Sequence, residues 1–269
     1  MQENKGTGPG YIFDNADAQT PARFSALATL YDPPTIQHLS QLGVSEGWRC
    51  LEVGAGPGSI ALWLSDQVGS CGQVVATDID TRFLEQIQRS NLKILRHDLT
   101  NESIPQDAFD LVHARLVLVH LPERDKVLAS LVNALKPGGW LFIEEFDALS
   151  IRPDPEVSPF ETMLKTNLAM RHIMMQQGLD LRYGRLLVGH LSRLGLADVC
   201  AEGRTSMWQG GSPGTNMMRA NFQQLQGAMI ASGLITQEQF EQDLGCLNEP
   251  DFLMPSPILW AVHGRRPFV

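Results

Sequence analysis

Arg49-Cys50-Leu51-Glu52-Val53-Gly54-Ala55-Gly56-Pro57-Gly58-Ser59-Ile60 is the stretch on which the reading of the fold turns. Cys50 to Val53 suits a short buried strand, and the glycines behind it suit a tight turn into a helix marked by Ile60, Leu62, Trp63, Leu64 and Val68. Downstream, residues 73–77 predict a second strand that ends at Asp78, followed by a helix through Phe83, Leu84 and Ile87. Residues 91–96 predict a third strand, ending near His97-Asp98, and residues 109–113 a fourth. A helix over 122–135, a turn at Lys136-Pro137-Gly138-Gly139 and a fifth strand over 140–143 complete the alternation. Strands alternating with helices over about a hundred residues predict an α/β fold: a parallel sheet with helices on both faces and ligands at the strands' C-terminal ends. Upstream, Thr20-Pro21 reads as the start of a helix through Arg23, Phe24, Leu27 and Leu30. Asp32-Pro33-Pro34 reads as its stop, and Thr35 as the cap of a second helix ended by Gly43. Past Phe146 the alternation breaks into a Pro-rich loop, a Met-rich helical stretch to about residue 180, a helix over 186–194, a strand over 197–205, helices over 212–248 broken at Ser232-Gly233, and a last strand over 258–263.

Composition narrows the function classes. With 269 residues, 43% hydrophobic and 19% charged, the chain has room for one large domain, or a domain with a cap, and is not of disordered type. A formal net charge of −9 argues against binding nucleic acid through phosphate neutralisation. No apolar run approaches the roughly 18 residues of a membrane span. The opening MQENKGTGPGYIFDN has neither the basic flank nor the apolar stretch of a secretory signal. Cys50, Cys71, Cys200 and Cys246 lie far apart with no CxxC, which suits reduced thiols rather than a zinc site. The expectation is a cytoplasmic protein that engages neither nucleic acid nor membrane, as a monomer or homodimer.

The glycine turn aims backbone amides at a ligand. A dinucleotide fingerprint G-x-G-x-x-G would need a small third residue at position 59, where Ser59 stands, and here an acid comes first, giving E-V-G-A-G-P-G. Together with Asp78, His97-Asp98 and the 136–139 turn, this order of motifs resembles the class I S-adenosylmethionine-dependent methyltransferases, from about Trp48 to Phe146. The likeness is to their small-molecule branch, of ubiquinone/menaquinone and natural-product type. It implies a Rossmann-like, mainly parallel seven-stranded sheet with a helical cap. The implied layout is a helical lid over 1–46, an S-adenosylmethionine-binding core over 47–148, a cap insertion over 149–182, and the rest of the core over 183–269 with a second cap insertion at 212–250. By the resemblance, Glu52, Gly54, Gly56 and Gly58 lie under the methionine part of the cofactor. Asp78 accepts both ribose hydroxyls with Ile79 on the adenine, and Asp98 holds the adenine amino group beside Leu99. Ala114 and Arg115 border the methionine carboxylate and the sulfonium, and Tyr11 belongs to a lid segment that touches the sulfonium or the substrate. Asp78 and Asp98 also read as plain helix caps.

Methyl transfer requires alignment of a nucleophile, exclusion of water and, for some acceptors, removal of a proton. His120 follows the fourth strand at the sheet's ligand edge and reads as a base or substrate contact, or as a backbone-bonded histidine at a helix start. His172 reads as a second candidate, from the cap. His113, inside the strand, reads as packed or cofactor-adjacent. Glu144 and Glu145 end the fifth strand and alternate in direction, so at most one of them faces the ligand from the strand. Glu144 is carried as the catalytic candidate, to hold an amine or serve as base, against a solvated turn. No compact Asp/Asn pair suggests a metal. Of ten methionines, nine fall between Met163 and Met254. Met170, Met174 and Met218 sit at helical spacings that suit either a helical core or an adaptable, mostly apolar substrate pocket. The acceptor expected is small and organic, with indole or phenol as a guess. The N/D-P-P-Y motif of many nucleic-acid and protein amide methyltransferases is missing where His113-Ala114-Arg115-Leu116 stands. A cofactor-binding partner subunit without transfer is the reading from another class.

Overall fold

The computed structural model describes residues 12–13, 19–151, 156 and 160–268, with the side chains of residues 160–164 left out. Its elements run α1 (Thr20–Gln41), β1 (Arg49–Val53), α2 (Ser59–Val68), β2 (Gln73–Asp78), β3 (Leu92–Arg96), β4 (Phe109–Arg115), α3 (Arg124–Ala134) and β5 (Leu135–Asp147). There follow α4 (Phe160–Gln176), α5 (Tyr183–Arg193), β6 (Ala197–Arg204), β7 (Met207–Gln209), α6 (Pro213–Ala231), α7 (Gln237–Cys246), β8 (Leu253–Pro255) and β9 (Ile258–Arg265). Seven strands form one sheet in the order β3-β2-β1-β4-β5-β9-β6, and the ladders joining β3, β2, β1, β4 and β5 are all parallel. This is the parallel sheet expected from the alternating pattern, and the Rossmann-like, seven-stranded form that the resemblance implies.

The chain divides into two compact units. One takes in Asp32–Phe146, Tyr183–Gly203 and Leu259–Val269 and carries the sheet. Its core joins Leu39 of α1 to Cys50, Ile60, Leu64, Val74, Leu84, Leu111 and Phe142. The central strands β1, β2 and β4 are buried along most of their length, which is why they read as apolar runs rather than alternating patterns. The other unit takes in the described residues of Met1–Tyr31, Asp147–Arg182 and Arg204–Ile258. In it α4, α6 and α7 pack on one another, and β7 and β8 form a short antiparallel pair.

Three expectations are corrected. Pro33 and Pro34 do not stop a helix but lie inside the continuous α1. Each proline removes an amide donor, at a cost of about 3 kcal/mol in a helix interior. The flanking residues are held from the side instead: Asp32 takes the Arg115 guanidinium at 2.6 Å, and the Thr35 hydroxyl, expected to cap, donates to Glu144 Oε2 at 2.6 Å. Phe83, Leu84 and Ile87 lie in turns rather than a helix, closed by Leu84 N–H to Thr81 O and Ile87 N–H to Leu84 O, both 2.9 Å. Leu84 is nonetheless fully buried. The 136–139 turn is absorbed into β5, because Gly138 N–H donates to Arg266 O and Arg266 N–H to Gly139 O, each at 2.8 Å.

Candidate active site

Register determines which side chains meet at the ends of β1, β4 and β5. Glu52 of β1 is paired with His113 of β4, and Arg115 of β4 with Glu144 of β5. Because His113 and Arg115 are two apart on one strand, all four side chains project from the same face. His113 Nδ1 lies 2.6 Å from Glu52 Oε2 and Nε2 lies 3.2 Å from Glu144 Oε2. Glu144 Oε2 also accepts the Thr35 hydroxyl, and the Arg115 guanidinium reaches both Thr35 Oγ1, at 2.8 Å, and Asp32. His113 and Glu144 have no exposed surface and Glu52 has 4%.

Burial alone would lower the His113 pKa, but the Glu52 charge and the bonds to both carboxylates outweigh it and raise it to about 9. Burial likewise pushes against ionisation of Glu144, and its bond to His113, with the His113 and Arg115 charges, reverses that and holds the carboxyl below its ordinary value. The cluster thus sets the His113 ring between two carboxylates, with the Arg115–Asp32 pair at its edge. Of the two residues expected at the cofactor's carboxylate and at the acceptor, Arg115 bonds Thr35 and Asp32, and Glu144 bonds His113 and Thr35.

The glycine loop leaves β1 at Gly54, two residues after Glu52. Gly54 has φ +63°, and a Cβ on it would come within 2.3 Å of Val117 Cγ2. The Gly56 amide donates to Asp78 Oδ2 at 2.9 Å, while Asp80 N–H donates to Oδ1 at 3.0 Å. Asp78 is partly exposed, and burial raises its pKa against these backbone bonds. Each carboxylate oxygen of Asp78 takes one of these donors and has a lone pair over for a further hydroxyl. Ile79 beside it is partly exposed. Asp98, at the end of β3, is spent locally: Oδ1 accepts from the Thr100 amide and hydroxyl and Oδ2 from Asn101 Nδ2. Those bonds hold its pKa low. Leu99 is partly exposed.

On the opposite face of β5, Glu145 Oε1 accepts the amides of Val117, Leu118 and Val119 at 3.0, 2.7 and 3.2 Å. Burial raises its pKa to about 8 even against these amides. The turn so gathered follows Ala114, which is fully buried, and Leu116, whose φ of +59° is the left-handed region that costs a branched side chain strain. It ends in the 3-10 turn Leu118–His120, with His120 8% exposed. In the other unit, His172 and Met174 on α4 are partly exposed, while Met170 and Met218 are buried in the helical core. Tyr11 lies outside the described residues. Among the described residues no group of three or more His, Cys, Asp and Glu is placed to hold a metal ion, and no helix is long and apolar enough to cross a membrane.

What sequence reading missed is the Glu52–His113–Glu144 contact. Its signal lies in three ionisable residues at the ends of strands that a β1-β4-β5 order makes neighbours, so it needs the strand order, which the linear pattern does not carry.

Residues 51–143 match the family described as "Methyltransferase domain". The ubiquinone/menaquinone biosynthesis C-methyltransferase of Marinomonas sp. is 32% identical over 127 residues, covering 44% of this chain and 49% of that protein. The enzyme of the same name from Pseudomonas putida is 33% identical over 112 residues, covering 39% and 44%. The chain therefore spans about half the length of the curated relatives it matches. Among solved structures, phosphoethanolamine N-methyltransferase 2 of Haemonchus contortus, in complex with S-adenosyl-L-methionine, superposes with a TM-score of 0.59 at 16% identity, covering 98% of this chain and 61% of that one. A methyltransferase of Aquifex aeolicus gives 0.50 at 16% identity, covering 93% and 99%. At these identities the likeness is one of fold.

Proposed function

We propose that this chain, whose residues 51–143 match the family described as "Methyltransferase domain", is a class I S-adenosylmethionine-dependent methyltransferase that transfers a methyl group to a small organic acceptor and releases S-adenosylhomocysteine. The observation that carries the reading is the Gly56–Asp78 hydrogen bond of 2.9 Å, which ties the glycine loop after β1 to the carboxylate ending β2. Ligands of parallel α/β sheets bind at that edge.

The residues fit the cofactor. Asp78 has acceptor capacity for a pair of ribose hydroxyls, with Ile79 beside it for the adenine. Gly54 and Gly58 let the turn pack close on Val117 and on Leu84 and Ile87; the loop of Gly54, Gly56 and Gly58 is assigned to the methionine part, with Glu52 as an acid at its root. Asp98 and Leu99 border the base from β3. S-Adenosyl-L-methionine, when bound, supplies an electrophilic methyl on a sulfonium. The protein's own tasks are to orient the acceptor, keep water out and accept a proton where the acceptor carries one. His120, in the turn gathered by Glu145, is assigned the proton or a direct acceptor contact, and His172 is the second candidate.

The acceptor is read as mostly apolar and ring-containing, quinone-like or an indole or phenol. The names of the curated relatives and the methionine-rich second unit support that choice, and Met170, Met174, Met218 and Tyr11 are assigned to it. A nucleic-acid or protein substrate is disfavoured by the net charge of −9. The test is incubation with S-adenosyl-L-methionine and a library of quinols, indoles, phenols and amines, read by mass spectrometry. One acceptor gaining a methyl in step with S-adenosylhomocysteine supports the reading. Tight cofactor binding with no product from any class favours a partner subunit instead.

A further inference from the structure

We infer that His113 is a positioning residue that fixes the Glu52 carboxylate at the root of the glycine loop to receive the α-ammonium group of the cofactor's methionine end; this rests on the methyltransferase reading above. Both ring nitrogens of His113 are engaged, at 2.6 Å to Glu52 and 3.2 Å to Glu144, and the ring packs on Phe142 at 5.1 Å between centroids. The Thr35 hydroxyl on Glu144 Oε2 secures the far carboxylate. The imidazole therefore has one orientation, and through Nδ1 it gives Glu52 one as well.

Only Oε2 of Glu52 is taken; Oε1 makes no hydrogen bond among the described residues. Glu52 stands two residues before Gly54, at the root of the loop. The charges point the same way. Glu52, Glu144 and a charged His113 leave one negative charge over, while Arg115 and Asp32 neutralise each other at 2.6 Å. Of the other titratable groups near by, His38 lies across Phe142 at 5.5 Å between ring centroids and faces Glu202 at 3.6 Å. A surplus negative charge in the cluster favours a cationic ligand group beside it. As a purely structural device it is a poor one, because apolar residues of similar volume commonly replace a buried ion pair without loss of stability.

The test is calorimetric titration of S-adenosylhomocysteine into the full chain and two variants. In His113→Asn the amide nitrogen falls near the place of Nδ1 and keeps the bond to Glu52; in His113→Gln it falls near Nε2 and keeps only the bond to Glu144. Both lose the ring and its charge. The expected result is an affinity at least about tenfold weaker in His113→Gln and within about threefold of the wild type in His113→Asn. Equal losses in both variants, or none in either, overturn the inference. Should the variants not fold, the His113 Nδ1 proton is followed by NMR in the wild type: it shifts when S-adenosylhomocysteine is added, and an unmoved resonance under saturating ligand overturns the inference. A wild type that binds no S-adenosylhomocysteine overturns the methyltransferase reading itself, so the two failures are distinct.

Discussion

Glu145 Oε1 accepts the Leu118 amide over 2.7 Å, and the same oxygen takes the amides of Val117 and Val119. One fully buried carboxylate therefore gathers the turn that carries His120 away from the end of β4. Truncation in Glu145→Ala leaves these amides without their acceptor and costs about 3 kcal/mol of stability, whereas Glu145→Gln keeps an acceptor oxygen and costs about 1 kcal/mol. Urea denaturation of the two variants checks the order; equal losses would show that the amide contacts contribute little.

Stability should decline on the alkaline side. The folded pKa of His113 is raised from 6.5 to about 9, so its contribution is fully present below the unfolded value and is lost as pH rises through the folded one. Glu145, raised from 4.5 to about 8, also binds its proton more tightly in the folded state, and its term falls in the same direction across that window. The melting temperature should be lower at pH 9 than at pH 6.5, with the upper part of the decline flattened in His113→Gln. A profile rising over this range would contradict both shifts.

Gly54→Ala meets two penalties: a φ of +63°, and a Cβ within 2.3 Å of Val117 Cγ2. The expected loss is roughly 1–3 kcal/mol. Val117→Ala in the same chain recovers the steric part and leaves the backbone part, which a double-mutant cycle by thermal melts will separate.

The parts of the fold readable from the chain are those where local chemistry decides the outcome. Cys50–Val53 running into Gly54–Gly58 announces strand, turn and helix without help from the rest of the molecule, and Asp78 marks the end of the next strand. Tertiary contacts overrode local signals elsewhere. Pro33-Pro34 is a helix breaker by propensity, yet α1 continues because Asp32 and Thr35 are anchored to Arg115 and Glu144. Phe83, Leu84 and Ile87 have helical spacing in a segment that closes in turns, with Leu84 buried beside Gly58. The three-residue strands β7 and β8 are too short to leave a periodic signal. At the site, the loop and Asp78 were legible, whereas the role of Glu144 depended on His113, which meets it only once β4 and β5 are neighbours.

His120→Ala should lower turnover by about a hundredfold or more if His120 takes the proton, with S-adenosylhomocysteine affinity kept within about twofold. Steady-state rates with the acceptor found in the library screen, read beside calorimetry, make the comparison. Normal turnover removes the role and passes it to His172.

The central claim, that the loop after β1 and the carboxylate ending β2 hold S-adenosylmethionine, is tested most directly by calorimetric titration of S-adenosylhomocysteine into the wild type and Asp78→Ala. The account predicts saturable one-to-one binding by the wild type and an affinity at least about tenfold weaker in the folded variant. Unchanged affinity in Asp78→Ala, or no binding by the wild type, would contradict it.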